Sequence, residues 1–214
     1  MGVLTGIIGI MSARVHYEVA IGGRKYRAVK IGSLLWLAEN LDYEWMGLGV
    51  GQEPSDTRQR ANYYNDDADT YGIDGTRKCG LLYNWPAVQY LEQDKAMLLP
   101  EGWRVPTRAD WLALERAIGA SEFMPSVKAA DDYASPGFPS EWNGTDTKRL
   151  AILPGGSRVG SSGYYTQVGN EARFWTITEN SAARAYAPYL KKTSYSLDNY
   201  TDKNNQFSLR LCKG

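Results

Sequence analysis

The chain has 214 residues, in which 24 acidic side chains balance 24 basic ones and 43% of the residues are hydrophobic. This balance excludes a disordered polyelectrolyte, and it excludes broad electrostatic attraction to nucleic acid or to an anionic membrane. Tyrosine and tryptophan, with 15 and 7 copies, outnumber the 4 phenylalanines. Rings with one polar end suit an interaction surface as well as a core, and composition alone favours neither.

Residues 2–13 are apolar, are interrupted by Gly6 and Gly9, and are followed by the first positive charge of the chain, Arg14. They lack the basic start and continuous apolar centre of a signal peptide, and they are shorter than the ~20 residues of a membrane span. An apolar segment of this kind is normally buried against other protein surface. Residues 1–14 therefore pack either on the core of their own domain or on a neighbouring subunit, and of these we favour a contact within a homo-oligomer; residues 15–214 are interpreted as a single domain.

Alternating apolar residues predict a first strand from Val15 to Ile21, and two glycines then supply a hairpin turn. A return strand over residues 24–31 and a short third strand over residues 34–37 complete a predicted β-meander. The lone histidine, His16, falls on the polar side of the first strand, so we predict a solvated side chain and not a metal ligand.

Residues 47–80 are rich in glycine, aspartate and asparagine, which predicts a long irregular excursion. Tyr63, Tyr64 and Tyr71 are the candidate packing anchors in it. The acidic run at residues 66–69 lacks the ligand spacing of a calcium-binding loop. We predict no metal site and no cofactor.

One helix has clear boundary signals. Thr107 is the predicted N-cap and Asp110 completes a capping box, while Gly119 ends the helix. Trp111 and Ile118 belong to its apolar face.

Two short apolar runs, residues 150–153 and 207–211, are predicted as buried strands. The sequence contains neither an internal repeat nor a low-complexity linker. These elements together predict one α+β domain.

Six phrases occur in a fixed order along the chain. They are WLAENL at residues 36–41, LYNW at 82–85, PEGWRVPT at 100–107, LPGGSR at 153–158, FWTITE at 174–179 and FSLRLC at 207–212. In these phrases the chain resembles the Fibrobacter succinogenes major paralogous domain. The resemblance covers roughly residues 26–213 and implies a C-type-lectin-like fold related to the formylglycine-generating enzymes, with short antiparallel sheets, one or two helices and long irregular loops.

The resemblance also bears on the cysteines and on the core. Members of the family carry a cysteine where this chain has Leu99, and that cysteine pairs with the counterpart of Cys212. Either Cys79 replaces the missing partner here, or the two cysteines remain thiols.

Gly155 and Gly156 are expected to allow a close approach of two backbones. Five tryptophans are expected to be core rings: Trp36, Trp85, Trp103, Trp111 and Trp175.

The C-terminal part differs in composition. From Ser181 to Gln206 the only large aliphatic residues are Leu190 and Leu197, and the rest is dominated by Tyr, Ser, Asn and small residues. Such a composition is typical of adaptable binding surfaces, although an ordinary solvated loop pair has it too. We predict a variable binding segment over residues 176–206. Its candidate ligand-binding residues are Ala182, Ala183, Arg184, Ala187, Pro188, Thr193, Ser194, Tyr195, Ser196, Asp198, Asn199 and Tyr200.

Some proteins with the implied fold are the variable proteins of diversity-generating retroelements, in which template adenines are randomised. All twelve candidate residues are reachable from an asparagine codon that ends in a pyrimidine. Lysine is not reachable from it, so Lys191, Lys192 and Lys203 would be fixed by the template.

These observations predict a non-enzymatic binding protein that displays a diversified surface for receptor recognition or adhesion. Its expected place is extracellular or on a virion, and its expected partner is a protein or glycan receptor on another cell. Two alternatives are an oxidase of the formylglycine-generating type and a purely structural surface or fibre module. The separation of Cys79 and Cys212 in the sequence argues against the oxidase, whose active site uses two close cysteines.

Overall fold

The computed structural model describes residues 17–49, 59–71, 79–130, 142 and 144–214. The predictions for residues 1–14, for His16 and for the side chain of Tyr71 lie outside this part of the chain. The described residues contain fifteen strands and five α-helices. The strands are β1 (Tyr17–Ile21), β2 (Arg24–Ile31), β3 (Leu34–Leu37), β4 (Ala61–Asn62), β5 (Leu82–Asn84), β6 (Trp103–Arg104), β7 (Gly155–Arg158), β8 (Tyr165–Val168), β9 (Glu171–Arg173), β10 (Arg184–Tyr186), β11 (Tyr189–Lys191), β12 (Tyr195–Ser196), β13 (Tyr200–Asp202), β14 (Gln206–Ser208) and β15 (Cys212–Lys213). The helices are α1 (Ala68–Tyr71), α2 (Trp85–Gln93), α3 (Lys95–Leu98), α4 (Arg108–Ile118) and α5 (Ala120–Val127).

A five-stranded antiparallel sheet in the order β1-β2-β3-β15-β6 joins the beginning and the end of the described chain. The predicted β-meander is confirmed, and both turn glycines, Gly22 and Gly23, have the positive φ that a tight hairpin requires. The last strand is inserted between two earlier ones, because Cys212 lies opposite Trp36 on one side and Arg104 on the other. This insertion closes the domain.

An eight-stranded sheet has the order β12-β11-β9-β7-β14-β5-β4, with β8 paired to β7, and a separate two-stranded sheet is formed by β10 and β13. The pair β7–β9 is parallel and the other pairs of this large sheet are antiparallel. Gly156 of β7 has φ +71°, and a Cβ built there would lie 2.5 Å from the backbone oxygen of Thr166. The predicted close backbone approach is therefore confirmed at this glycine.

The helix predicted from its capping signals is α4. The Thr107 side chain accepts from the backbone N–H of Asp110, and the Asp110 carboxylate accepts from the backbone N–H of Thr107 at 2.7 Å. Gly119, with φ +93°, ends the helix. The apolar face buries Trp111 and Leu114. Both predicted boundary residues of this helix, Thr107 and Gly119, are thus confirmed.

The core contains every tryptophan of the chain. The five predicted core rings are all buried, and Trp45 and Trp142 are buried as well. Trp111 contacts the Trp36 ring edge-on and stacks on Phe174, each at a centroid separation of 5.1 Å.

Arg210 is a buried cation in this core, with 1% of its surface exposed. Its guanidinium donates to the side-chain oxygen of Asn40 at 2.8 and 3.2 Å and to the carbonyl oxygens of Leu37 and Leu150. A buried charge is tolerated only when it is hydrogen-bonded in this way. Arg210 thus ties together the end of β3, the 150–153 segment and the β14–β15 connection.

Two strand predictions need correction. Residues 150–153 are buried, but Ala151 has φ +47° and the segment makes only an isolated bridge between Ile152 and Lys128. A positive φ interrupts the extended backbone that a strand needs. Residues 207–211 were predicted as one strand, whereas the chain leaves the large sheet after Ser208 and enters the five-stranded sheet at Cys212.

Cys79 and Cys212 are both buried and form no disulfide. Of the two alternatives for the cysteines, the one in which both remain thiols is therefore correct.

Within the described residues, no helix combines the length and the apolarity needed to cross a membrane.

Candidate binding surface

The backbone of residues 176–206 is held by main-chain hydrogen bonds. Strands β10 and β13 pair antiparallel, with Ala185 opposite Thr201, and β11 lies between β9 and β12. Beyond these ladders, the N–H of Ala187 donates to the oxygen of Asn199 at 2.8 Å and that of Lys203 to Ala183 at 3.0 Å. The sequence does not predict these four strands, because each has only two or three residues and the alternation of a strand cannot be recognised over so short a run.

A few apolar side chains anchor the segment from below. Leu190, Leu197 and Ala185 are buried, which explains why the two leucines are the large aliphatic residues of this stretch. Ala187 and Pro188, two of the candidate ligand-binding residues, are buried too, so they do not belong to the surface that the segment exposes. Ala187 packs into the core between β10 and β11, where its side chain cannot meet a partner.

The other ten candidate residues reach the surface to different degrees. Tyr195, Ser196 and Asn199 are half-buried. The remaining seven are exposed and are named here the outer face: Ala182, Ala183, Arg184, Thr193, Ser194, Asp198 and Tyr200.

Tyr195 is bound to the helices beneath it. Its ring packs on Phe123 of α5 at a centroid separation of 5.1 Å, and its hydroxyl donates to the Glu115 carboxylate and lies 3.3 Å from the Ala120 oxygen. Burial and the bond to Glu115 raise the pKa of Tyr195 to about 12. The ring therefore serves packing first, and Tyr200 is the better candidate for an aromatic contact to a ligand.

Tyr200 lies in a cluster of rings and charges on the two-stranded sheet. It is 46% exposed and meets Tyr186 edge-on at 6.0 Å. The Arg184 guanidinium lies 5.9 Å from the Tyr200 ring and pairs with Asp202 at 3.0 Å. Asp202 and Tyr186 lie in the predicted binding segment but are not among its twelve candidate residues, and the antiparallel register places them beside Arg184 and Tyr200.

Arg108, the first residue of α4, is a further member of the site that the sequence did not indicate. Its guanidinium lies 4.8 Å above the Tyr186 ring and forms an ion pair with Asp198, whose pKa it lowers. Its backbone N–H donates to the hydroxyl of Thr178 at 3.0 Å. The capped helix therefore braces the segment from outside it.

A buried lysine fixes the turn after β11. Lys128 is 1% exposed, and its ammonium lies 4.3 Å from the centroid of the Trp142 ring. It donates to the carbonyl oxygen of Lys192 at 3.0 Å and lies 3.4 Å from that of Lys191. Because these acceptors are main-chain atoms, the contact does not depend on which side chains the turn carries.

Lys203 has the same role at the other end. Its ammonium donates to the carbonyl oxygen of Ala182 at 3.0 Å, pairs with Glu179 at 3.0 Å and lies 5.2 Å from the Trp85 ring. The start of the segment thus has a backbone anchor as well.

A cleft of about 390 Å³ lies beside the segment. Gln89 on its α2 wall lies 3.4 Å from Glu179 of the segment, measured between the amide nitrogen and a carboxylate oxygen. Among the residues that the structure describes, no group of three or more His, Cys, Asp or Glu side chains is placed to hold a metal ion. The described part of the site presents rings, small residues and paired charges.

Comparison with known proteins gives one result. The Fibrobacter succinogenes major domain matches residues 29–213. Neither a curated protein nor a solved structure matches the chain.

Proposed function

The chain belongs to the Fibrobacter succinogenes major domain family, and on this premise we propose that it is a non-enzymatic ligand-binding protein for receptor recognition or adhesion. The binding region is the outer face, displayed on a C-type-lectin-like scaffold. The protein acts on a cell or virion surface, towards a protein or glycan receptor on another cell.

The observation that carries this proposal is that, within residues 176–206, the groups that hold the backbone are largely distinct from the exposed side chains. Main-chain hydrogen bonds, buried Leu190 and Leu197, and the ammonium groups of Lys128 and Lys203 hold the backbone. Most side chains of the outer face contribute little to that framework; Asp198, through its ion pair with Arg108, is an exception. Exposed substitutions of this kind change the free energy of unfolding by only about 0.5 kcal/mol, so side chains can vary while the fold persists.

The same division fits diversification of the segment. A residue whose side chain supports backbone carbonyls has to be kept, and Lys203 is one of the residues that randomised adenines of an asparagine codon cannot produce. The exposed residues Tyr200, Asp198 and Thr193 can all be produced that way. Lys203 and these three exposed residues thus differ both in their structural role and in whether adenine randomisation can produce them.

The oxidase alternative is poorly supported by the thiols. Burial raises the pKa of the Cys212 thiol to about 12, and a thiol that stays protonated is a weak nucleophile. Cys79 is buried as well. A purely structural surface or fibre module would not need variation concentrated on one surface of a constant scaffold, and this distinguishes it from the proposed binding protein.

Binding is tested with the labelled full-length protein on a glycan array and on a panel of immobilised bacterial surface proteins. We expect at least one target whose affinity falls about tenfold or more in the double variant Arg184→Ala/Tyr200→Ala. Tyr17→Ala is the matched control, because Tyr17 is 39% exposed in the edge strand β1, outside the segment. Targets that bind the double variant as tightly as the original protein would refute the assignment of the outer face.

Diversification is tested on the genome. We expect a reverse-transcriptase gene near the coding sequence, together with a near-copy of the 3′ coding end that differs from it at adenines. Mismatches spread equally over all four bases would exclude adenine-directed diversification, and the binding experiment would still stand on its own.

A further inference from the structure

The connection between β7 and β8, residues 159–164, lies directly against the last turn of residues 176–206. The backbone N–H of Gly160 donates to the side-chain oxygen of Asn205 at 3.0 Å. A Cβ built on Gly160 would lie 2.1 Å from the carbonyl oxygen of Asn204. The two loops are thus packed backbone to backbone, at a distance that only glycine permits.

This connection has a fixed shape. The N–H of Val159 donates to the oxygen of Tyr164 at 2.9 Å, and the N–H of Gly163 donates back to the oxygen of Val159 at 2.7 Å. Gly163 has φ +71°, a conformation that glycine adopts without strain. The strand pair beneath continues this frame, since Arg158 lies opposite Tyr165.

The apex of the connection carries Tyr164, which at 76% exposure is the most exposed tyrosine among the described residues. Ser161 and Ser162 beside it are exposed too. A large ring that is held on a tight loop and left in water gains nothing from folding, whereas it loses little conformational entropy when a partner covers it.

We propose that residues 159–164 are a second recognition loop and that Tyr164 is an aromatic anchor which acts together with the outer face. This inference rests on the proposed function. The recognition surface then runs from Arg184 and Tyr200 on the two-stranded sheet, across the turn at Asn204 and Asn205, to Tyr164. The second loop lies outside residues 176–206, so the anchor stays the same when the outer face varies.

The partner that this surface fits is a folded protein. Tyrosine, serine, glycine and asparagine on rigid loops are the residues of antibody paratopes, and tyrosine is enriched at the centres of protein interfaces. The charges of the neighbouring sheet are paired with one another, as Arg184 is with Asp202. The surface therefore offers rings and hydrogen-bonding groups over an extended area and little unpaired charge.

The experiment is a selection with a defined probe. The full-length protein is displayed on yeast with the seven positions of the outer face randomised, and binders are selected in parallel against hen egg lysozyme and against a biotinylated high-mannose glycan. Tyr164→Ala and, as control, Tyr17→Ala are then introduced into each binder, and the thermal unfolding of every variant is recorded.

We expect lysozyme binders in which Tyr164→Ala weakens affinity about tenfold or more and Tyr17→Ala changes it less than about twofold, with unchanged thermal unfolding for both. Lysozyme binders whose affinity is unchanged by Tyr164→Ala would refute the role of residues 159–164 in recognition, and the assignment of the outer face would be kept. Binders against the glycan alone would overturn the assignment of a protein partner. A library without binders of either kind would overturn the proposed function and this inference with it.

Discussion

Two tyrosines of the same segment should respond in opposite ways to replacement by alanine. Tyr195 is packed against Phe123 and hydrogen-bonded to Glu115, whereas Tyr200 is 46% exposed and meets only the edge of Tyr186 among aromatic rings in the described structure. Tyr195→Ala should therefore lower stability, while Tyr200→Ala should spare stability and reduce ligand binding.

The magnitude follows from the contacts of Tyr195. The loss of the half-buried apolar part of the ring costs about 1.5 kcal/mol, and the lost ring pair with Phe123 adds about 0.5–1 kcal/mol. The half-buried hydrogen bond to Glu115 contributes about 1 kcal/mol more. A total of about 3 kcal/mol corresponds to a decrease in Tm of about 6–12 °C for a domain of this size. Tyr195→Phe, which removes only the hydroxyl, should lower Tm by about 2–4 °C.

The assay is differential scanning calorimetry of the original protein and of Tyr195→Ala, Tyr195→Phe and Tyr200→Ala. Tyr200→Ala should unfold within about 3 °C of the original protein, because it loses a partly solvated ring edge. A Tyr195→Ala variant whose Tm also stays within about 2 °C would refute the reasoning. Both rings would then be available to a ligand, as the sequence by itself suggested.

Three further predictions concern stability. Burial raises the pKa of folded Cys212 to about 12, while the thiol of the unfolded chain ionises near 9.0, so urea unfolding should show stability falling by up to about 4 kcal/mol between pH 9 and pH 12. Cys212→Ala should lose this part of the pH dependence. A variant whose stability falls with pH as steeply as that of the original protein would contradict the prediction. Gly156→Ala should cost more than about 3 kcal/mol through its backbone clash, against about 1 kcal/mol for Gly23→Ala, which shares a positive φ but has open space around it; equal losses in chemical denaturation would exclude the clash. Lys128→Met should speed hydrogen exchange at residues 191–194 and cost about 2 kcal/mol, and unchanged exchange there would show that the lysine does not fix the turn.

The parts of the fold that depend on local chemistry were predictable from the sequence. The Gly22-Gly23 turn and the Thr107–Asp110 capping box involve residues at most three apart, so their geometry follows from side-chain type and spacing. The burial of the tryptophans follows from their size and apolarity. Residues 150–153 were predicted as a strand because apolar runs do not distinguish an extended strand from a buried irregular segment.

The candidate site divides in the same way. The sequence by itself determined the composition of residues 176–206, the two leucines that anchor them and the candidate set from which the outer face comes. Only the tertiary structure decided that Ala187 and Pro188 are buried, that Tyr195 belongs to the helices, and that Arg108 and Tyr164 lie beside the segment. The physical reason is distance along the chain. Arg108 and Asp198 are 90 residues apart and Gly160 and Asn205 are 45 apart, and such contacts are set by the register and packing of the sheets.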